Sequence, residues 1–334
     1  MSMMENSKLY MRPQPLGVFP FPAGLLLLPD LGDAGRPALA KLMQGDANAA
    51  LPAEWRFFEL ALGGDYDQAL AAISGSDSIA IHNRIALGED LPEDGVLQSA
   101  VRYAVGRDDK PPVPEGLDAE LLAFVLMLHS IYWIERDQIE KSIEPLTKAI
   151  AAAREVSPEF AAQMLGQLAA LQRERPSVAI SHYHEALRLA RGNARAELSL
   201  QLGMALQDGA EGNPTILLEA VNAYREALRH YAKEAFPEKW ASAQMNLANA
   251  LQSGSSYAEA VEIYDEILSV RNRTADPVGY ARILANQAHA QAQLGMYAVA
   301  MEKAGEAYTL FRRHDEPGMA ASALELRKSI AAVS

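Results

Sequence analysis

The chain has 334 residues, 49% of them hydrophobic and 22% charged, enough apolar surface for a real core and too much for full disorder. Thirty basic against 43 acidic residues leave a net charge of −13, which disfavours a face built to neutralise nucleic-acid phosphates. The absence of cysteine removes disulfides, thiolate nucleophiles, iron–sulfur clusters and Cys-type zinc sites, and fits a reducing, cytoplasmic compartment.

Residues 11–31, MRPQPLGVFPFPAGLLLLPDL, are apolar but broken by Pro13, Pro15, Pro20, Pro22 and Pro29. Each proline fixes its own φ and removes a backbone donor, so residues 1–35 read as an extended arm rather than a helix. A secretory leader is disfavoured, because Asp30, Asp33 and Arg36 interrupt the approach to the Ala38-Leu39-Ala40 cleavage-like site. No uninterrupted apolar run is long enough to span a bilayer, so no membrane partner is expected. The arm should pack Phe19, Phe21 and Leu25–Leu28 on a helical surface, either of its own chain or as an exchanged segment in a homodimer.

Residues 36–110 alternate short helical patterns with turn signals. Gly63-Gly64-Asp65 separates WRFFELAL from YDQALAAI, and Leu91-Pro92-Glu93-Asp94-Gly95 precedes VLQSAVRYAV. Asp65 and Asp67 read as helix-capping residues rather than as a cation site. Irregular helical hairpins follow from this pattern, with Ala69 leaving open whether they are degenerate copies of the repeat found downstream. Lys110-Pro111-Pro112-Val113-Pro114-Glu115-Gly116 is the best linker candidate, at 111–116.

From residue 117 onward the sequence repeats itself. SIEPLTKAI (142–150), AISHYHEALRLA (179–190), AVNAYREALRHY (220–231), AVEIYDEILSV (260–270) and AMEKAGEAYTL (300–310) align without gaps at their first eight positions. Ser142, Ala179, Ala220, Ala260 and Ala300 begin the segments. Leu146, Tyr183, Tyr224, Tyr264 and Ala304 stand four residues on, and Ala149, Ala186, Ala227, Ile267 and Ala307 three beyond those. An i, i+4, i+7 set lies on one helix face, where small residues beside a large one let a second helix approach closely. Pro237, Pro277 and Pro317 repeat at 40 residues, and Pro158 precedes Pro237 by 79. Asp276 and Ser157, each just before a proline, read as N-caps with Pro at the first helical position. Two helices per period of this length predict an all-α solenoid, each unit burying its face on its neighbours. Pro145, inside a predicted helix, should kink it.

These residues resemble the tetratricopeptide repeat (TPR) family, in a long-period variant of about 40 residues. Asn246-Leu247-Ala248-Asn249-Ala250-Leu251 is similar to the first-helix signature, and Ala260, Tyr264 and Ile267 to the second-helix set. Leu202-Gly203 with Leu206, Leu165-Gly166, Ala288, and Ser130 with Trp133 fall in the same register. The resemblance covers residues 117–334 and implies an α-α superhelix of five repeats with a capping helix at 317–332. It also implies a partner-binding groove lined by the first helices. Position by position, that groove would present Phe124, Met127, Ile131 and Ile134, then Phe160, Gln163 and Gln167. Glu197, Leu200, Met204 and Gln207 follow, then Ser242, Met245, Asn249 and Gln252, and finally Arg282, Asn286 and His289. The set is poor in Lys and Arg, so the family's clamp for acidic tails is not expected. Amides suit the backbone of an extended peptide, and Met and Phe make adaptable apolar pockets. The alternative for residues 124–134 is packing against the N-terminal half, and for Asn246 and Asn249 an inter-repeat hydrogen bond within the scaffold.

No G-x-G-x-x-G, G-x-x-x-x-G-K, G-x-S-x-G or H-E-x-x-H occurs. His182 and His184, two apart on a predicted helix, face different ways and do not chelate together. No catalytic residue, metal ligand or cofactor is therefore expected. The first reading is a non-catalytic scaffold holding a protein or peptide partner in the groove. The second is a ligand-responsive regulator whose N-terminal helical region acts on a target, and the third an enzyme or enzyme subunit with a site between the two halves.

Overall fold

The structure is a computed structural model that describes residues 10–11, 19, 21–29, 31, 35–43, 50–91 and 95–333. Pro13, Pro15 and Pro20 of the arm, and Pro92–Asp94 of the second turn signal, lie outside these residues. The fold is all-α, with the described residues dividing into two compact units, 1–195 and 196–334. The proline-rich stretch at 111–116 carries no regular structure and lies within the first unit.

In the first unit the arm forms one two-residue antiparallel bridge, with β1 (Tyr10–Met11) opposite β2 (Leu28–Pro29). Five short helices follow: α1 (Arg36–Met43), α2 (Arg56–Leu62), α3 (Tyr66–Ala72), α4 (Ser78–Ala86) and α5 (Val96–Ala104). Asp65 caps α3 by accepting from the Gln68 N–H, which is the capping role expected of it. The arm docks on its own chain. Phe19 meets Phe58 edge to face at 5.3 Å, and Leu25, Leu26 and Leu28 are buried. The N–H groups of Leu25 and Leu26 bond to Pro22 and Ala23 within the arm, and side chains of other elements satisfy main-chain groups that remain. The Asn83 amide accepts from Leu27 N–H and donates to Leu27 C=O, both at 2.8 Å, while His82 Nε2 donates to Leu25 C=O at 2.8 Å. The Trp55 indole N–H donates to Pro29 C=O at 2.9 Å.

The long helices come in pairs: α6 (Ala119–Ile134) with α7 (Ile139–Ala153), and α8 (Pro158–Leu171) with α9 (Pro176–Leu189). Helix α10 (Gly192–Asp208) precedes α11 (Pro214–Leu228). Then come α12 (Pro237–Ser253) with α13 (Tyr257–Val270), and α14 (Pro277–Gln293) with α15 (Tyr297–Arg313), closed by α16 (Pro317–Val333). Six of these helices start at a proline, whose missing N–H costs nothing in the first turn. All fifteen residues of the repeat pattern on α7, α9, α11, α13 and α15 are buried. In the second unit α12 touches α14 and α14 touches α16, so successive first helices lie side by side.

One local expectation is corrected. Ser157 does not cap α8: its hydroxyl is buried and donates to Glu120 Oε1 at 2.6 Å, a carboxylate that is itself buried. Asp276, by contrast, does cap α14, accepting from the Gly279 N–H at 2.8 Å. Helix α7 runs through Pro145 as one helix from Ile139 to Ala153.

Candidate partner-binding face

A repeat helix that buries Ala, Tyr and Ile on one side leaves its partner helix to present polar residues on the other. In the second unit this places Asn249 and Gln252 on α12 beside Asn286 and His289 on α14, and the four side chains form one hydrogen-bonded set. Asn286 Nδ2 donates to Asn249 Oδ1 at 2.9 Å, and Gln252 Nε2 donates to His289 Nδ1 at 2.7 Å, which places the imidazole proton on Nε2. The Tyr264 hydroxyl of α13 joins them from behind, donating to Asn249 Oδ1 at 2.7 Å and lying 3.3 Å from Gln252 Oε1. Burial holds the Tyr264 phenol well above its ordinary pKa, so it stays a donor. All four groove residues remain half-buried, and Arg282 is exposed on the same helix as Asn286.

The same construction recurs one unit earlier. Gln207 on α10 accepts from the Tyr224 hydroxyl at 2.9 Å, with Met204 a turn away and 41% exposed. Leu200 and Met245 are half-buried. Glu197, at the start of this face, accepts from the Tyr231 hydroxyl at 3.0 Å and lies 3.9 Å from Lys239.

In the first unit the predicted residues fare differently. Gln163 and Gln167 are exposed on α8, and Met127 and Ile131 are half-buried on α6. Phe160 is buried. Phe124 is only 3% exposed, and the arm's Phe21 stacks on it at 5.7 Å, so an apolar position read as open groove is filled by the chain itself.

Sequence reasoning missed the roles of Tyr231 and Tyr264 on this face. Both are aromatic positions whose hydroxyl has to find a partner once the ring is buried, and that requirement was the available signal. Gln287 was also missed. It is fully buried where the repeat pattern has Leu247 one unit earlier, and its amide donates to Asp265 Oδ1 at 2.7 Å and accepts from Lys303. Among the described residues no group of His, Asp and Glu could hold a metal ion, and no helix is long and apolar enough to cross a membrane.

No family model matches the chain, and no curated protein matches it in sequence. Among solved structures, BtubC (BKLC) from P. vanneervenii aligns over 66% of this chain and 89% of its own length, at 17% identity and a TM-score of 0.50. A MamA protein aligns over 58% and 94%, at 18% identity and a TM-score of 0.46. The Rap protein complexed with Competence and Sporulation Factor aligns over 88% and 86%, at 12% identity and a TM-score of 0.43. At such identities the likeness concerns the fold alone.

Proposed function

We propose that this chain, a helical-repeat protein of TPR-like fold, is a non-catalytic scaffold that binds an extended segment of a protein partner across the first helices of residues 196–334. The observation that carries the reading is the joined set Asn249–Asn286 and Gln252–His289. Tyr264 orients Asn249 and Gln252 of α12, these pair with Asn286 and His289 of α14, and all four stay half-exposed, the pre-organisation that recognition of a peptide backbone needs. Met245, one turn before Asn249 on α12, and Met204, exposed on α10, offer adaptable apolar contact. The net charge of −13 favours a neutral or basic partner.

Affinity capture from native extract tests it, comparing wild type with a Met245→Glu/Arg282→Glu variant that leaves the hydrogen-bonded set intact. A partner retained by wild type and lost by the folded variant supports the reading. Equal retention by both removes the face from consideration.

The regulator reading is favoured by one contact. Phe21 covers Phe124, so the arm and the first repeat helix are already coupled within the first unit. It requires that partner binding alter hydrogen exchange in residues 19–104, and unchanged exchange there rejects it. A homodimer made by exchanging the arm is not part of our reading, because the arm's described residues are held by Trp55, His82 and Asn83 of their own chain. The mass of the protein in solution decides that point.

A further inference from the structure

A cavity of about 510 Å³ lies between α6, α7 and the segment that precedes them. Leu126, His129 and Trp133 stand at i, i+3 and i+7 on α6, and Lys141, Glu144 and Lys148 at the same spacing on α7, with Pro114 closing one side. His129 Nε2 donates to Pro112 C=O at 2.8 Å and so fixes the proline-rich segment against α6. None of these residues belongs to the face described above.

Three features of the walls share one chemistry. Trp133 is half-buried, and the Lys141 ammonium sits 4.8 Å from its ring centroid, a cation already resting on the aromatic surface. Glu140 and Glu144 bring two carboxylates to the same wall. Glu144 is paired with Lys148 at 2.8 Å, but both side chains are more than 60% exposed, so the pair is weakly held and free to exchange. Finally, Pro145 has no N–H, so the turn of α7 that forms the wall lacks the donor that Lys141 C=O would receive in a regular helix. Aromatic face, carboxylates and a released carbonyl are the complement of a planar or compact cation carrying several N–H donors.

We propose that this cavity receives a basic side chain, arginine foremost, from a partner polypeptide, with Lys141 as the internal cation that the ligand displaces. Arginine fits better than lysine because its flat guanidinium stacks on an indole while its edge donates to carboxylate and carbonyl oxygens together.

The probe is acetyl-Gly-Arg-Gly-amide, with the neutral isostere acetyl-Gly-citrulline-Gly-amide as its control. The readout is the indole N–H resonance of Trp133, identified by its loss in Trp133→Phe; the other two tryptophans, Trp55 and Trp240, are buried and serve as unmoved references. The arginine peptide should shift the Trp133 signal saturably and the citrulline peptide should not. Glu140→Gln/Glu144→Gln should abolish saturation. Lys141→Ala, which removes the resident cation, should tighten binding about threefold, the worth of an exposed cation–π contact. A Trp133 signal unmoved by the arginine peptide in both wild type and Lys141→Ala overturns the proposal, as does an equal response to the citrulline peptide. The walls share no residue with the Asn249–His289 set, so the outcome here and the outcome of the capture experiment are independent.

Discussion

Gly203 and Tyr224 show how narrow the tolerance is at a single position. A Cβ at residue 203 would lie 2.5 Å from Tyr224 Cε1, so α10 and α11 pack against each other through a hydrogen atom. Gly203→Val should therefore destabilise by about 1–3 kcal/mol, read as a lower denaturant midpoint with unchanged m-value. An unchanged midpoint would mean that the helices separate without cost. The buried tyrosines impose a second, pH-dependent signature. Burial raises the pKa of Tyr183, Tyr224, Tyr231 and Tyr264, and burial with the neighbouring Glu135 pushes Tyr103 up to about 12. The unfolded chain ionises its tyrosines near pH 10. It therefore loses protons before the folded chain does, so the stability they confer is complete below about pH 10 and is lost as pH rises toward 12. Denaturant midpoints measured across that range should fall, and fall less steeply in Tyr264→Phe; a flat profile in wild type contradicts the burial of these hydroxyls. At this scale the small–large–small positions were legible in the sequence, because a period of about 40 residues repeats them five times. Gln287 was not, because a buried amide in place of Leu is explained by Val261, Asp265 and Lys303, which belong to other helices.

Among the elements, the arm is the one whose short backbone pairing is supplemented by side chains of other elements. Asn83 supplies both a donor and an acceptor to Leu27, as a neighbouring strand would. Asn83→Ala strands two main-chain groups in a part-buried site and should cost about 2 kcal/mol or more, seen as a lower melting temperature. The same substitution in a chain lacking residues 1–33 should cost much less, and equal losses in both backgrounds would show that the arm is not what Asn83 holds. The apolar, proline-broken composition made docking of the arm predictable, but not the receptors at Trp55, His82 and Asn83, which lie on separate short elements. A different stitching joins second helices and the turns that follow them to the next unit: Arg225 meets Glu259 at 2.6 Å, Lys233, in the turn after α11, meets Glu266 at 3.5 Å, and Arg273, in the turn after α13, meets Glu306 at 2.8 Å. These pairs are largely exposed and worth at most about 1 kcal/mol each, so they set register more than stability. Ser157 shows why an N-cap motif can mislead, since a buried carboxylate nearby outcompetes the backbone for the hydroxyl.

For the molecule as a whole, the repeat period is enough to predict the architecture, because a unit of two helices can bury its apolar face only on its neighbours. The same logic names Asn249, Gln252, Asn286 and His289, which hydrogen bonds join between α12 and α14, an inter-repeat contact that is one of the two readings of Asn249. It leaves open whether Phe124 faces a partner or packs against the N-terminal half, and the arm decides for the second, with Phe21 stacked on that ring. The central claim is that a partner lies across α12 and α14. Hydroxyl-radical footprinting of the protein with and without its captured partner tests this directly, since Met204, Met245 and His289 are reactive side chains on that face and Met296, 44% exposed in the turn before α15, is a reactive control off it. The account predicts that Met204, Met245 and His289 lose reactivity in the complex while Met296 keeps it; protection at Met296 with Met245 and His289 unchanged would contradict it.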